Sequence, residues 1–473
     1  MKAAPLKFGT SGWRAVIAEE FTFSNVRLAV AGIAEHVHKR KKKGTVIVGY
    51  DTRFFSPEFA RMAAQTLAAH GIQVLLCDAP VPTPVIACEI LRRKCDGAVN
   101  FTASHNPAAY NGIKFSGPHG GPALPQETSD IEARIARLAV RPARAVAHRT
   151  NTDERELETI SPRGAYLKRL GELVDFETIR EARLKIVCDV LHGCGAGYLD
   201  GVLTENAIPC TTLRAERDVL FNGTGPDVSE ENLASLREAV RSNKANVGLA
   251  TDGDADRFGI LDADGTWIQP NHILGLIYDY LVETRRWKLP VARSVATSQL
   301  VDAVARYHGT KVIQTPVGFK FIGELIRKDK IALGGEESAG LSIRGHVPEK
   351  DGILACLLVA EMIARRGQSL RQQLRALFKR VGAEYWPLRA NLHLNEDVKS
   401  RLVNRLKKNF REFAGRSVKR TDRTDGLKLE LASGSWILLR LSGTEPLVRL
   451  YTEAHTADGA RNLAKEAQAW IES

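Results

Sequence analysis

Short runs of β-branched and other apolar residues, each ending in a cluster of Gly, Asp or Ser, alternate along most of the chain with stretches of helical apolar spacing. That alternation predicts α/β units with parallel sheets. Three units follow one another. The first carries strands at Val46-Ile47-Val48 and Ala98-Val99-Asn100-Phe101, the second at Ile186-Val187-Cys188 and Val247-Gly248-Leu249-Ala250, the third at Val295-Ala296 and Ile331-Ala332-Leu333. Helix ends are legible between them: Ser56 as a cap with Pro57 in the first turn and Gly71 at the close, and Ser129 with Glu132 as a capping box. After Ser229, the residues Leu233, Leu236 and Val240 form one apolar helical face.

In each unit a strand runs straight into a polar, loop-forming cluster: Thr102-Ala103-Ser104-His105-Asn106-Pro107, then Thr251-Asp252-Gly253-Asp254-Ala255-Asp256-Arg257, then Gly334-Gly335-Glu336-Glu337-Ser338. Open α/β sheets bind ligands at the carboxyl ends of their strands, so these loops are the expected seats of chemistry. The end of the chain differs, with strands at Ser435 to Leu441 and Val448 to Thr452, a turn at Ser442-Gly443-Thr444 and a helix from about Asp458. It predicts a smaller α+β domain. The expected division is 1–150, 151–262, 263–378 and 379–473, three doubly wound α/β domains and one α+β domain.

A chain of 473 residues is too long for one core, which agrees with that division. The longest stretch free of polar residues, Ile353 to Ala360, falls far short of the roughly 20 residues a membrane helix needs. Met1 to Trp13 contains no apolar signal core, so a cytoplasmic location is expected. Seven cysteines, an odd number without CxxC pairing, argue against a disulfide framework and read as small buried hydrophobes. The 67 basic against 55 acidic residues, a net +12, favour an anionic partner. Nucleic acid and phosphorylated metabolites both qualify. The concentrations of charge at Lys39 to Lys43 and Lys399 to Arg423 read first as solvated faces.

Asp252, Asp254 and Asp256 alternate along one loop and can converge, with Gly253 allowing the turn. Three close carboxylates repel unless a cation sits among them, and all-oxygen ligation suits Mg²⁺ or another hard divalent ion. The EF-hand pattern fails, because Arg257 and Ala263 stand where Gly and Glu are required. Mg²⁺ seldom takes an all-protein cage, so a further oxygen is expected from a phosphate, for which Ser104 is the candidate carrier. No GxSxG elbow surrounds Ser104, which argues against a serine hydrolase. Arg440-Leu441-Ser442-Gly443-Thr444-Glu445-Pro446, with Arg449 following, gathers guanidinium groups, hydroxyls and amides around a glycine turn, a combination that fits a phosphate dianion. Gly193, Gly195 and Gly197 do not complete a dinucleotide fingerprint, because Tyr198 takes its last position. No Gly-Lys dipeptide exists for a Walker loop, and Cys188, His192 and Cys194 lack a fourth zinc ligand.

Together TASHNP (102–107), TDGDADR (251–257), GGEES (334–338) and SGTEP (442–446), with the opening FGTSGWR (8–14), resemble the α-D-phosphohexomutase superfamily of phosphoglucomutases and phosphomannomutases across the whole chain. The resemblance implies the same four-domain fold around one deep cleft. It makes Ser104 the phosphoserine, with Asp252, Asp254, Asp256 and a phosphoserine oxygen around Mg²⁺. It makes Glu336 and Ser338 readers of sugar hydroxyls, and Arg440, Ser442, Gly443, Thr444 and Arg449 the site of the non-reacting phosphate. Arg14, His105, Lys114 and Arg257 match positions at the reaction centre, and Lys320 a basic residue facing the cleft. The general base is left open among Lys114, His105 and Lys350. The implied reaction moves a phosphoryl group between O1 and O6 of a hexose phosphate through a hexose 1,6-bisphosphate, most simply glucose 1-phosphate to glucose 6-phosphate. A phosphomannomutase or dual-specificity enzyme is the alternative, and a basic nucleic-acid-binding protein the alternative from another class. Nucleic acid and membrane are not expected partners, and monomer and homodimer both stay open. The chain departs from many relatives at Leu441, where they carry Pro, and at Ala339-Gly340, where dual-specificity and phosphoglucosamine relatives place a His. Glu337 and the Glu349-Lys350-Asp351-Gly352 segment lean toward phosphoglucomutase.

Overall fold

The computed structural model describes residues 6–9, 12–140, 157–441 and 447–472. The first sheet holds β1 (Trp13–Val16), β2 (Thr45–Tyr50), β3 (Gln73–Cys77), β4 (Gly97–Phe101), β5 (Tyr110–Ser116) and β6 (Glu158–Ile160) in the order β1-β5-β4-β2-β3-β6. The second holds β7 (Ile186–Asp189), β8 (Cys210–Leu213), β9 (Val247–Thr251) and β10 (Phe258–Asp262) in the order β10-β9-β7-β8. The third holds β11 (Val291–Ser294), β12 (Val312–Thr315), β13 (Leu333–Glu336) and β14 (Gly340–Ile343) in the order β12-β11-β13-β14. Three α/β units with mainly parallel sheets are therefore present.

Each of these sheets departs from the parallel pattern in the same place. Strands β4, β9 and β13 turn back through a hairpin into the antiparallel partners β5, β10 and β14. The three polar clusters are these hairpin loops. An antiparallel return needs only a short connection, whereas a parallel one needs a helical crossover, so each loop is gripped by strand pairing on both sides.

The third unit corrects two expected strands. Parallel pairing sets Val291 against Leu333, so β11 ends at Ser294 and β13 begins where the expected run ended. Val295 and Ala296 lie past the sheet and pack instead on Trp436, Leu438 and Tyr451. The Ser129 capping box is also replaced: the helix Pro125–Ala139 starts ahead of it, with the Glu127 carboxylate accepting the Leu124 N–H at 2.8 Å. Glu132 instead accepts the Phe8 N–H at 2.6 Å. Ser56 is the first helical residue, and its hydroxyl donates to Asp51 at 2.7 Å rather than capping.

The second and third units share one hydrophobic core. The helix Gly352–Arg366, buried from Gly352 to Ile363, packs on β9 and β10 as well as on β14. Its first residue must be glycine, because a Cβ there would stand 2.2 Å from the Arg257 carbonyl oxygen. The helix Leu370–Val381 follows, closed by Gly382 at φ +81°.

The fourth unit is an antiparallel sheet of β15 (Trp386–His393), β16 (Glu412–Phe413), β17 (Arg416–Asp422), β18 (Leu427–Leu431), β19 (Trp436–Leu441) and β20 (Leu447–Ala454), in the order β15-β20-β19-β18-β17-β16. The helices Glu396–Leu406 and Ala457–Glu472 flank it, and Leu402, Phe413, Leu429, Leu450 and Leu463 belong to a separate core. Strands β15 and β17 carry an exposed polar and basic face, which hides them from an apolar pattern, while β18 is interrupted by the buried Lys428. All seven cysteines are free thiols, and among the described residues no helix is long and apolar enough to cross a membrane.

Candidate active site

Ser104 opens the β4–β5 hairpin loop at φ +52°, a left-handed conformation that costs a non-glycine residue about 1–3 kcal/mol and persists only where its surroundings impose it. Here the imposing group is Arg53. Its side chain is fully buried, pairs with Asp51 through Nε at 3.1 Å, and spends its Nη groups on the carbonyls of Ser104 and Asn106 (2.6 Å each), Pro107 (2.8 Å) and Tyr110 (3.0 Å). One planar fork thus gathers the loop's carbonyls on one side and leaves the buried Ser104 hydroxyl to the other.

That hydroxyl donates to Asp252 Oδ2 at 2.8 Å, so the first two loops meet directly. The carboxylate oxygens of Asp252, Asp254 and Asp256 that could hold an ion lie within 4.8 Å of one another, on fully buried side chains. Burial, then the two acidic neighbours, pushes the Asp252 carboxyl well above its usual range. Burial works against Asp254 and Asp256 too, but Lys114 and Lys350 override it and hold both low. Lys114 Nζ donates to Asp254 at 2.5 Å and Asp256 at 2.9 Å, and Lys350 Nζ to Asp256 at 2.5 Å. Buried Asp254 Oδ1 and Asp256 Oδ1 have no hydrogen-bond partner. Orphaned carboxylate oxygens in a cluster of three fit a hard divalent cation such as Mg²⁺.

Arg14, on β1, donates to Asn106 Oδ1 at 2.7 Å. His105 Nδ1 lies 3.5 Å from Ser104 Oγ, and its imidazole is held well below the usual range by Arg257 first, then by burial. It is therefore a neutral base at neutral pH. Burial opposes the charge of Arg257, but Asp256 and Asp252 hold its pKa up. These residues, with Ser104, Lys114, Lys350 and the aspartates, form one cluster drawn from three units.

The third loop supplies Glu336, buried, with Oε1 accepting the Gly318 N–H at 2.7 Å. Burial, then Glu337, raises its carboxyl to about 7. Half-buried Ser338 shares that hairpin, and half-buried Lys320 stands on the first turn of the helix Phe319–Arg327. Arg440 and Arg449 face each other directly across β19 and β20. Like charges in opposed register destabilise a sheet unless an anion lies between them, which suits a phosphate. Ser442, Gly443 and Thr444 lie outside the described residues.

Two positioning groups escaped the sequence reading. Arg53 follows β2 in Gly49-Tyr50-Asp51-Thr52-Arg53, a strand-to-polar-cluster signal like the other three. Thr83, in Val81-Pro82-Thr83-Pro84, donates its hydroxyl to Asp254 Oδ2 at 2.5 Å and its N–H to the Asp254 carbonyl at 3.0 Å, fastening the aspartate loop to the first unit. A buried threonine before proline carries no such signal.

Three α/β units and an antiparallel fourth, with a serine hydroxyl set on a buried aspartate trio, define a phosphohexomutase, an enzyme of intramolecular phosphoryl transfer. The chain belongs to the phosphoglucomutase/phosphomannomutase family, whose α/β/α domains I, II and III match residues 5–141, 164–265 and 269–381, and whose C-terminal domain matches 397–469. It is 31% identical over 461 residues to a phosphoglucomutase/phosphomannomutase of Thermococcus kodakarensis, covering 96% of each chain. It is likewise 31% identical over 476 residues to a "probable phosphoglucosamine mutase" of Methanothermobacter thermautotrophicus, covering 99% of this chain and 98% of the other. The solved "putative phosphomannomutase" of Thermus thermophilus superposes with a TM-score of 0.87 at 33% identity over 100% of both chains.

Proposed function

We propose that this phosphohexomutase interconverts glucose 1-phosphate and glucose 6-phosphate through a phosphoserine at Ser104 and glucose 1,6-bisphosphate, with mannose phosphates as alternative substrates. The observation that carries this reading is the 2.8 Å contact between Ser104 Oγ and Asp252. Mg²⁺ held by Asp252, Asp254 and Asp256 with a phosphoserine oxygen would neutralise charge on the phosphoryl group in flight.

The free sugar hydroxyl attacks phosphorus, a new P–O bond forms, and the bond from phosphorus to Ser104 Oγ breaks. The proton of that hydroxyl passes to a nitrogen base, His105 or Lys350, and a proton returns to Ser104 Oγ. Lys114 drops out as the base, because its burial is outweighed by Asp254 and Asp256, which keep its ammonium charged. After the bisphosphate has turned end for end, Ser104 Oγ attacks the other phosphate and the sequence runs in reverse. Arg14, Lys114 and Arg257 steady the charge. Arg440 and Arg449, with Ser442, Gly443 and Thr444, would hold the idle phosphate whichever way the sugar lies, while Glu336 and Ser338 take ring hydroxyls and Lys320 faces them. The fourth unit would close over the substrate about the link after Val381, excluding water from the phosphoserine.

The glucose assignment draws on one packing detail. A Cβ at Gly340 would stand 2.2 Å from Lys350 Cδ, so the lysine stem occupies the space a side chain at 340 would need. A His at 340 would therefore require the Lys350 stem to move from the place it takes here. The nucleic-acid reading draws less support, since Lys39, Arg40 and Lys41 are already paired with Asp130, Glu127 and Asp96.

Purified protein with Mg²⁺ and a trace of glucose 1,6-bisphosphate should convert glucose 1-phosphate to glucose 6-phosphate, and Ser104→Ala should lower kcat about a thousandfold or more. A Ser104→Ala enzyme of undiminished activity rules the mechanism out. Parallel assays with mannose and glucosamine 1-phosphates rank the sugars.

A further inference from the structure

One carboxylate joins the two ends of the candidate site. Asp425 lies in the β17–β18 hairpin of the fourth unit, and its Oδ2 accepts the Arg440 Nε–H at 2.9 Å and the Val317 N–H at 3.1 Å. Val317 belongs to the third unit. The next residue, Gly318, gives its N–H to Glu336 Oε1 at 2.7 Å, from a backbone at φ +129° that favours glycine. An unbroken path of hydrogen bonds and one peptide link therefore runs from the arginine expected to hold phosphate to the carboxylate expected to read the sugar.

The hairpin that presents Asp425 is itself tightly placed. Asp422 Oδ1 accepts the Thr424 N–H at 2.8 Å and the Thr424 hydroxyl at 2.6 Å, while its Oδ2 accepts Gln314 Nε2 at 2.6 Å, beside the end of β12. Gly426, at φ +95°, leaves no room for a Cβ, which would meet the Leu439 carbonyl oxygen at 2.5 Å. The turn is thus pressed onto β19, the strand of Arg440, and both of its acids reach residues 314–317 of the third unit. The Asp425 carboxylate takes Nε of Arg440, leaving the two Nη groups outside this contact, and a guanidinium can hold a phosphate bidentately through that pair.

We propose that Asp425 is a positioning residue that couples phosphate binding at Arg440 to sugar reading at Glu336, so that each end of a hexose phosphate is bound more tightly when the other is engaged. The coupling acts through one two-sided acceptor. When Arg440 is drawn to a phosphate, Asp425 moves with it and carries Val317 and, through its backbone, the Gly318 N–H whose hydrogen bond orients Glu336. Without Asp425 the two ends bind independently. The inference rests on the phosphohexomutase reading given above, and the test separates the two.

Equilibrium binding of glucose 6-phosphate is measured by calorimetry in a Ser104→Ala background, where no turnover intervenes. Asp425→Ala should weaken binding about tenfold when Glu336 is present, and threefold or less when Glu336 is replaced by alanine, because two coupled groups give non-additive effects. Asp425→Asn, which keeps an acceptor oxygen at the same place, should restore part of the lost affinity. Equal factors in the two backgrounds, or an Asp425→Ala protein that binds like its parent, overturn the coupling. Failure of the parent to bind glucose 6-phosphate, mannose 6-phosphate or glucosamine 6-phosphate overturns the functional reading instead. Far-ultraviolet circular dichroism and the urea midpoint of each variant separate misfolding from lost coupling.

Discussion

The reacting end and the phosphate-holding end of this molecule are built in opposite ways. Around Ser104 most of the charge is buried and paired, Arg53 with Asp51 and the loop carbonyls, Lys114 and Lys350 with the aspartates, while Arg257 Nε and one oxygen each of Asp254 and Asp256 have no hydrogen-bond partner. At the far end Arg440 and Arg449 face each other across two antiparallel strands, and Arg440 is steadied by one partly exposed carboxylate, Asp425. Buried ions cost several kcal/mol each unless paired, so a site assembled from them must be complete before substrate arrives. A site with few charges and a partly open face tolerates unsatisfied charge and can wait for its anion. The first design suits chemistry that needs fixed positions, the second a phosphate that must be caught in either orientation.

This contrast can be broken experimentally, first where the buried end is most committed. Arg53→Met leaves the Asp51 carboxylate buried without its partner and should cost about 3–5 kcal/mol of stability in urea unfolding. Arg53→Lys should recover only part, because an ammonium cannot span the loop's carbonyls as a planar fork does. A loss below about 1 kcal/mol would show that the serine loop holds its shape without the clamp.

A smaller effect is expected where the first unit touches the aspartate loop. Thr83→Val removes the hydroxyl from Asp254 and should weaken Mg²⁺ about ten- to a hundredfold in a calorimetric titration, the usual range for a group that orients a metal ligand. Unchanged affinity would assign Thr83 to packing alone. At the distal end Arg440→Lys keeps the charge but loses the fork, and should raise KM about tenfold with kcat moving less. An equal fall in kcat would place Arg440 in the chemical step.

The smallest effect lies between the third and fourth units. Lys428 is wholly buried, donates to the Val295 carbonyl at 2.8 Å and lies 3.8 Å over the Trp436 ring. Burial first, then Arg293, lowers its ammonium to about 7, against Glu453, Asp302 and Glu430, which favour the charge. Between about pH 7 and pH 10 the unfolded chain therefore binds a proton that the native state lacks, so stability rises with pH across that window. Urea midpoints from pH 6.5 to about 9.5 should show the wild type gaining on Lys428→Met. Parallel curves would mean that Lys428 titrates in its ordinary range.

The central strands β2, β4, β7 and β9 of the first two units, the three loops and the aspartate trio were legible because strands in an α/β fold are continuous apolar runs that end abruptly where a loop begins, whereas the flanking strands β1, β3, β5, β6, β8 and β10 were not read. The third unit's strands were misplaced by a few residues: Val295 and Ala296 are apolar for the sake of Trp436 and Tyr451 in another unit. In the fourth unit β15 and β17 were illegible because one face of each is solvated, β17 reading Arg416-Ser417-Val418-Lys419-Arg420, and β18 because the buried Lys428 interrupts its apolar run. Thr83 and Asp425 were illegible as site residues because each acts through contacts with residues far away in the chain, whereas Arg53 stands in a strand-end polar cluster of the same kind as the three that were legible.

Local chemistry, the residue types within single loops, was enough to determine that a serine, three aspartates, a glutamate and paired arginines stand at strand ends. Tertiary structure alone decided that Asp252 reaches the serine, that Lys114 and Lys350 reach the same aspartates from two other units, and that Asp425 bridges the third and fourth. The reason is physical: a motif is written in neighbours along the chain, whereas burial and charge pairing depend on distances that only the packing of separate sheets sets.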